Sequence, residues 1–138
     1  PLMPDIKNKL NLEVKHREAW RPFCPSFTSE SFEFYFGHNK PADFMIIAYY
    51  IKKKFISLFP SAVHIDGSVR PQSVKKETNP LFHSLIEEFG KLSGHPVLIN
   101  TSFNVQGEPI VETPRDALRC FGGTGIDVLV IGNYILEK

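Results

Sequence analysis

The sequence predicts an α/β fold, a mixed sheet with flanking helices. Two observations carry this. Short apolar runs alternate with amphipathic helical stretches across the second half of the chain, and the first half is rich in aromatics that could add antiparallel strands. A length of 138 residues allows one domain with a sizeable core, so residues 1–138 read as a single domain. The composition is that of a globular chain, with 42% hydrophobic and 22% charged residues, and this excludes overall disorder.

The strongest helix signal begins at Asn79-Pro80. Asparagine favours the N-cap and proline the first helical position. Leu81, Phe82, Leu85, Ile86 and Phe89 then recur at helical spacing, predicting one buried face, and Gly90 or Gly94 can end the element. Pro96 to Ile99 reads as a short buried strand. Thr113-Pro114 opens a second helix with Asp116 completing a capping-box pattern. Ala117, Leu118 and Phe121 form its apolar side, and Gly122 to Gly125 closes it. Asp127 to Gly132 reads as a buried strand that Tyr134-Ile135-Leu136 continues.

The first half is less periodic. Asn8 to Val14 fits a short helix or a loop entering a strand. Lys15 to Pro22 is interrupted by proline and reads as an extended or turning segment carrying three cations, Lys15, Arg17 and Arg21. In Ser29 to Gly37 the phenylalanines at 32, 34 and 36 alternate, which suits a strand or a packed cap. Phe44 to Ile51 reads as a strand, with Lys52-Lys53-Lys54 as its solvated end. Ala62 to Ile65, the Asp66-Gly67 turn and Ser68 to Val74 suggest a hairpin or a strand–turn–strand bend.

Net charge is only +1, so nucleic acid gets no support from total charge. The two cysteines, Cys24 and Cys120, are far apart and fit a reduced, cytoplasmic protein. No apolar run reaches the length of a membrane span. Pro1-Leu2-Met3-Pro4 has no signal-peptide features, and the chain reads as a piece of something longer. The histidines show no metal-ligand spacing, and no metal site is expected; His64 beside Asp66 fits a general base, a ligand or a structural residue.

Two groups of residues could carry chemistry. A strand runs directly into Asn100, Thr101, Ser102 and Asn104, whose amides, hydroxyls and backbone N–H groups suit phosphate and carbonyl oxygens. The same residues also fit a turn in which asparagine and serine bond their own backbone. The cations Lys15, Arg21 and Arg70, the two arginines each followed by proline, could hold phosphate if they converge.

Several blocks resemble the NodU/CmcH carbamoyltransferase family. Asn11 to Glu18 resembles its "N-x-x-V-K-x-R-E" segment, and Arg21-Pro22-Phe23-Cys24-Pro25-Ser26 its "R-P-F-A-P-S". His64 to Gln72 resembles "H-x-D-G-T-A-R-x-Q", and Val97 to Val111 resembles "V-L-x-N-T-S-F-N-x-x-G-E-P-I-V". Cys24 stands for the usual alanine and Ser68 for threonine. The family's "G-P-R-A-L-G" segment, upstream of Asn11, is not in this sequence, and Phe32 to Lys54 matches nothing in the pattern.

The resemblance implies a YrdC-like C-terminal domain that takes ATP with Mg²⁺ and carbamoyl phosphate and makes carbamoyl-adenylate. An N-terminal partner domain would bind iron and the acceptor, and the carbamoyl group would pass there to a small-molecule hydroxyl. It implies roles for Lys15, Arg21 and Arg70 in catalysis and for Asn100, Thr101, Ser102 and Asn104 in binding. Two other readings compete: an RNA-binding module using Lys52-Lys53-Lys54, Lys75 and Lys76, and a docking domain with an aromatic interface at Phe32 to Phe36.

Overall fold

In a computed structural model, residues 1–40 and 42–138 are described, and they divide into two compact units. Unit 1 comprises Pro1–Pro4 and Pro22–Thr101; unit 2 comprises Asp5–Arg21 and Ser102–Lys138.

Unit 1 is built on β1 (Cys24–Thr28). The short strand β2 (Tyr49–Tyr50) pairs antiparallel with β3 (Ser68–Val69), separately from the main sheet. β4 (Gln72–Val74) runs parallel to β1, and β5 (Val97–Asn100) runs antiparallel to it on the other side. The sheet is therefore mixed, in the order β4-β1-β5. Between β4 and β5 the chain forms the helix Pro80–Ser93, which packs on β1 and β5. Asn79 caps it by accepting the Phe82 N–H, and Gly94 ends it in the left-handed region at φ 79°, a conformation glycine adopts without steric cost. The mixed sheet and the limits of this helix match the sequence reading.

Its buried face matches in part. Ile86 is buried and Phe82 and Phe89 are half-buried, as expected, whereas Leu81 is 83% exposed and Leu85 is also exposed, and His83 is buried in their place.

That core centres on Phe27, which is fully buried. Its ring meets those of Phe32, Tyr35, Phe36 and Phe59 at centroid distances of 4.9 to 6.3 Å, three of the four near edge-on. Such geometry suits aromatic quadrupoles. Phe32–Phe36 is a short helix following the 3-10 turn Ser29–Ser31, not a strand. Phe32, Tyr35 and Phe36 are buried and only Phe34 is exposed. The aromatics expected to form a docking surface therefore make the interior instead.

Other first-half expectations are corrected. Of Phe44 to Ile51 only Tyr49–Tyr50 is strand. Phe44 and Ile46 are exposed, and Met45 has φ 56°, which breaks an extended path. Apolar content alone gave this run no partner beyond the two residues of β3. Ala62 to Ile65 forms turns in place of a strand. His64 N–H donates to the Ser68 carbonyl at 2.8 Å, and Asp66 Oδ1 accepts the Ser68 N–H at 2.9 Å. The lysine run is partly structural. Lys52 donates to the carbonyls of Glu33 and Phe34, and the Lys54 ammonium lies over the rings of Phe34 and Phe55.

Unit 2 opens with α1 (Ile6–Lys9), which runs into a π-helical segment, Leu10–Lys15. The helix Pro114–Gly122 carries the expected capping box, with Thr113 and Asp116 bonded reciprocally. β6 (Val128–Ile131) and β7 (Tyr134–Glu137) then form an antiparallel hairpin. The chain thus turns back at Gly132-Asn133 instead of continuing one strand, a two-residue loop of the kind that closes hairpins. β6 is also less buried than its sequence suggests, since Val128 and Val130 face solvent. A small core joins Ala117, Phe121 and Leu129 with Phe103, Val111 and Leu136 at its margin. Both cysteines are free. Among the described residues no helix is long and apolar enough to cross a membrane.

Candidate functional site

The site forms in unit 2 around Lys15, the last residue of the π-helical segment. A π-turn takes up one more residue than an α-turn and is often found at functional sites. Here it is held from outside. The Gly125 N–H donates to the Glu13 carbonyl at 2.7 Å, and a Cβ on Gly125 would come within 2.8 Å of the Glu13 Cβ. Only glycine permits that approach. The next residue, His16, is left-handed at φ 52° and reverses the chain, which is uncommon for a side chain with a Cβ.

Lys15 is 4% exposed. Its ammonium donates to the Asn104 Oδ1 at 2.8 Å, the Asn104 carbonyl at 2.9 Å, the Ser102 Oγ at 3.1 Å and the Ser102 carbonyl. Four neutral oxygens share three N–H donors, so at least one proton is bifurcated. Ser102 Oγ in turn donates to Asn104 Oδ1 at 2.6 Å, and Asn104 Nδ2 donates to the Glu108 carbonyl at 2.8 Å. The Lys15 carbonyl accepts the Gln106 N–H at 3.0 Å. The loop after β5 is thereby wrapped around one buried ammonium.

Burial pushes the Lys15 ammonium below its ordinary pKa, and the nearby positive charge of Arg17 adds to the shift. Among the described residues Lys15 makes no ion pair, so its charge is solvated by dipoles and is not cancelled.

Arg17 is a cation that the sequence reading left out of its candidate set. It stands two positions beyond Lys15, across the His16 reversal, and its Nε donates to Asn11 Oδ1 at 2.7 Å. The K-x-R spacing was its signal.

The other expected residues are placed differently. Arg21 lies 2.9 Å from the Glu18 carboxylate, a charge contact that lacks hydrogen-bond alignment, and its guanidinium lies over Trp20. It spends its charge locally. Asn100 ends β5 in unit 1, where its Nδ2 donates to Gln72 Oε1 at 2.8 Å; Ser26 donates to the same oxygen. That role ties the three strands together. Thr101 and Arg70 are exposed residues of unit 1, Arg70 lying between β3 and β4. Of the expected set, unit 2 brings Lys15, Ser102 and Asn104 into mutual contact. Among the described residues no cluster of three or more His, Cys, Asp or Glu side chains could hold a metal.

The family model for the carbamoyltransferase C-terminus matches residues 1–138. The chain belongs to the carbamoyltransferase C-terminal family. It is 40% identical over its whole length to an uncharacterized protein of Methanocaldococcus jannaschii, covering 23% of that protein. It is 36% identical to nodulation protein NolO of Bradyrhizobium diazoefficiens, with 100% of this chain and 26% of the relative covered. It is 32% identical to the 3'-hydroxymethylcephem-O-carbamoyltransferase of Amycolatopsis lactamdurans over 96% of this chain and 25% of that enzyme. The chain therefore spans about a quarter of the length of these curated relatives.

Proposed function

We propose that this member of the carbamoyltransferase C-terminal family activates carbamoyl phosphate with ATP to give carbamoyl-adenylate. The carbamoyl group then goes to a small-molecule hydroxyl at a partner domain. The observation that carries the reading is the convergence of Lys15, Ser102 and Asn104. Transfer to oxygen is supported by the name of the cephem O-carbamoyltransferase relative.

Forming carbamoyl-adenylate joins a carbamoyl-bearing oxygen to the α-phosphorus of ATP and breaks the bond to the β-phosphate. Carbamoyl phosphate would first be hydrolysed: water enters, the bond between its bridging oxygen and phosphorus breaks, and phosphate and carbamate result. The carbamate oxygen is then the one that attacks the α-phosphorus, and pyrophosphate leaves from ATP. This chemistry demands alignment and charge stabilisation more than a general base. Lys15 and Arg17 would bind phosphate oxygens and stabilise charge that builds on them. Ser102 and Asn104, already fixed by the ammonium, would orient the nucleotide. Mg²⁺ would be held chiefly through the phosphate oxygens of ATP and water. Iron would belong to the partner domain.

Calorimetric titration with ATP and Mg²⁺, with and without carbamoyl phosphate, tests the reading. Binding is expected to tighten with the second ligand and to weaken about tenfold or more in Lys15→Met, the scale of one charge-assisted contact. Ser102→Ala, at an exposed position, gives a second variant less exposed to folding defects. Unchanged affinity in folded forms of both would sink the assignment. Arg70→Ala, measured alongside, decides whether that arginine takes part.

A further inference from the structure

We propose that the loop 102–110 is a latch closed over Lys15, which a phosphate-bearing ligand opens by taking the places of Ser102 Oγ and Asn104 Oδ1 at the ammonium. The inference rests on the functional reading above and adds the movement that such binding requires.

Lys15 is 4% exposed, so a ligand oxygen reaches its ammonium only when a covering group moves. The ammonium has three N–H donors and is already met by four oxygens, the hydroxyl and carbonyl of Ser102 and the side-chain and backbone carbonyls of Asn104. No donor is left over. A phosphate oxygen therefore enters in exchange for one of these four. The two side-chain oxygens leave most readily, because they turn about side-chain torsions while the carbonyls move only with the backbone. They are also linked, Ser102 Oγ donating to Asn104 Oδ1 at 2.6 Å. Asn104 Nδ2 donates to the Glu108 carbonyl at 2.8 Å, so a turn of Asn104 is passed to the middle of the loop.

The loop gives way, and not the segment that carries Lys15. That segment is held by the Gly125 N–H on the Glu13 carbonyl at 2.7 Å. It is also held by the fully buried Asn11, whose amide donates to the carbonyls of Ala19 and Arg21. The loop has the opposite character. Its neck is tied where the Val111 N–H donates to the Phe103 carbonyl at 3.0 Å, and residues 106–110 are exposed. Gly107, at φ 83°, stands in open space. Lys15 draws this excursion inward through its ammonium and through its carbonyl, which accepts the Gln106 N–H at 3.0 Å. Exposed backbone held by few bonds opens locally at low cost. A hydrogen bond from ammonium to phosphate is charged on both sides, whereas those to Ser102 and Asn104 are charged on one, and this favours the exchange.

Amide exchange followed by ¹⁵N NMR tests the latch. Inorganic pyrophosphate and ATP·Mg²⁺ are the probes, with calorimetry to establish that each is bound. At saturation the Gln106 and Glu108 N–H groups are expected to exchange about tenfold faster. Val111 at the neck and Ala117 in the following helix should not change. Asn104→Ala removes one of the oxygens to be displaced. It should speed exchange at Gln106 before any probe is added. It should also tighten pyrophosphate, which has no nucleoside for this side chain to orient. Bound probe with Gln106 equally or better protected would overturn the proposal and leave the functional reading standing. Wild-type exchange or wild-type pyrophosphate affinity in Asn104→Ala would do the same. Absence of binding by both probes would overturn the functional reading and the latch with it. If Asn104→Ala fails to fold, Ser102→Ala removes the other displaced oxygen and carries the same expectations for exchange and pyrophosphate.

Discussion

Phe27 and Lys15 hold equivalent positions in the two units, each the residue on which its neighbours converge, but the forces differ. Phe27 gathers four aromatic rings and excludes water. Lys15 gathers four oxygens and keeps an uncancelled charge among them. Unit 1 gains stability from apolar burial, which is non-directional and tolerates repacking. Unit 2 has a small apolar core and depends on directional bonds that fail one at a time. Unit 1 is thus organised by apolar contacts, and unit 2 around a buried charge.

The comparison can be broken first at Phe27. Phe27→Ala should cost about 3–5 kcal/mol, the range for large buried aromatics. Denaturant unfolding followed through unit 1 measures it, and a loss near zero would mean the aromatic cluster is not what holds that unit. A smaller effect is expected at the capping box of unit 2. Thr113→Ala should cost about 1 kcal/mol, read as a lower unfolding midpoint of the helix it caps. A neutral result would show that the helix is fixed by its apolar face alone.

The smallest effect concerns a polar pair of unit 1 that joins the buried His83 to the exposed Glu30. His83 Nε2 lies 2.8 Å from Glu30 Oε2, with Glu87 3.4 Å from the other ring nitrogen. Burial pushes the Glu30 carboxyl up, but the hydrogen bond with His83, aided by backbone contacts, leaves it below its ordinary value. A lowered carboxyl pKa gives stability that is present above the ordinary carboxylate value and is lost as pH falls through the folded one. Because Glu30 is largely exposed, the contribution should stay below about 1 kcal/mol. His83→Gln should flatten the acid limb of stability against pH, and identical slopes in the two proteins would remove the pair from the account.

How far the sequence could be read follows the same division. The helix beginning at Pro80 and the one beginning at Pro114 were legible, because capping residues and prolines act locally. β5 was legible as a short apolar run that ends in polar residues. The helix at Phe32–Phe36 was misread because the phenylalanines alternate. The buried members, Phe32, Tyr35 and Phe36, follow the helical spacing of three and four, and that was the better signal. Leu81 and Leu85 show the converse: a correct period does not say which stripe faces inward. In the site, a turn bonding its own backbone and a polar binding cluster were competing descriptions of Asn100 to Asn104, and both hold in part. Ser102 and Asn104 bond each other, yet both also face the ammonium of Lys15, a residue 87 positions away from Ser102. No spacing rule could reveal a contact of that range. Only the fold shows that Glu18 lies against Arg21 and that Asn11 accepts from Arg17.

The π-helical segment Leu10–Lys15 makes the site a matter of chain length as much as of chemistry. Leu12 and Glu13 are exposed, and Glu13 lies against Gly125 through its Cβ. Removing either residue would let the segment relax to an ordinary α-helix, in which each residue advances by about 100°. Lys15 would then be carried around the axis, away from Ser102 and Asn104. Along this stretch, descent should permit many substitutions and almost no insertions or deletions, a constraint on length that side-chain variation alone would not disclose.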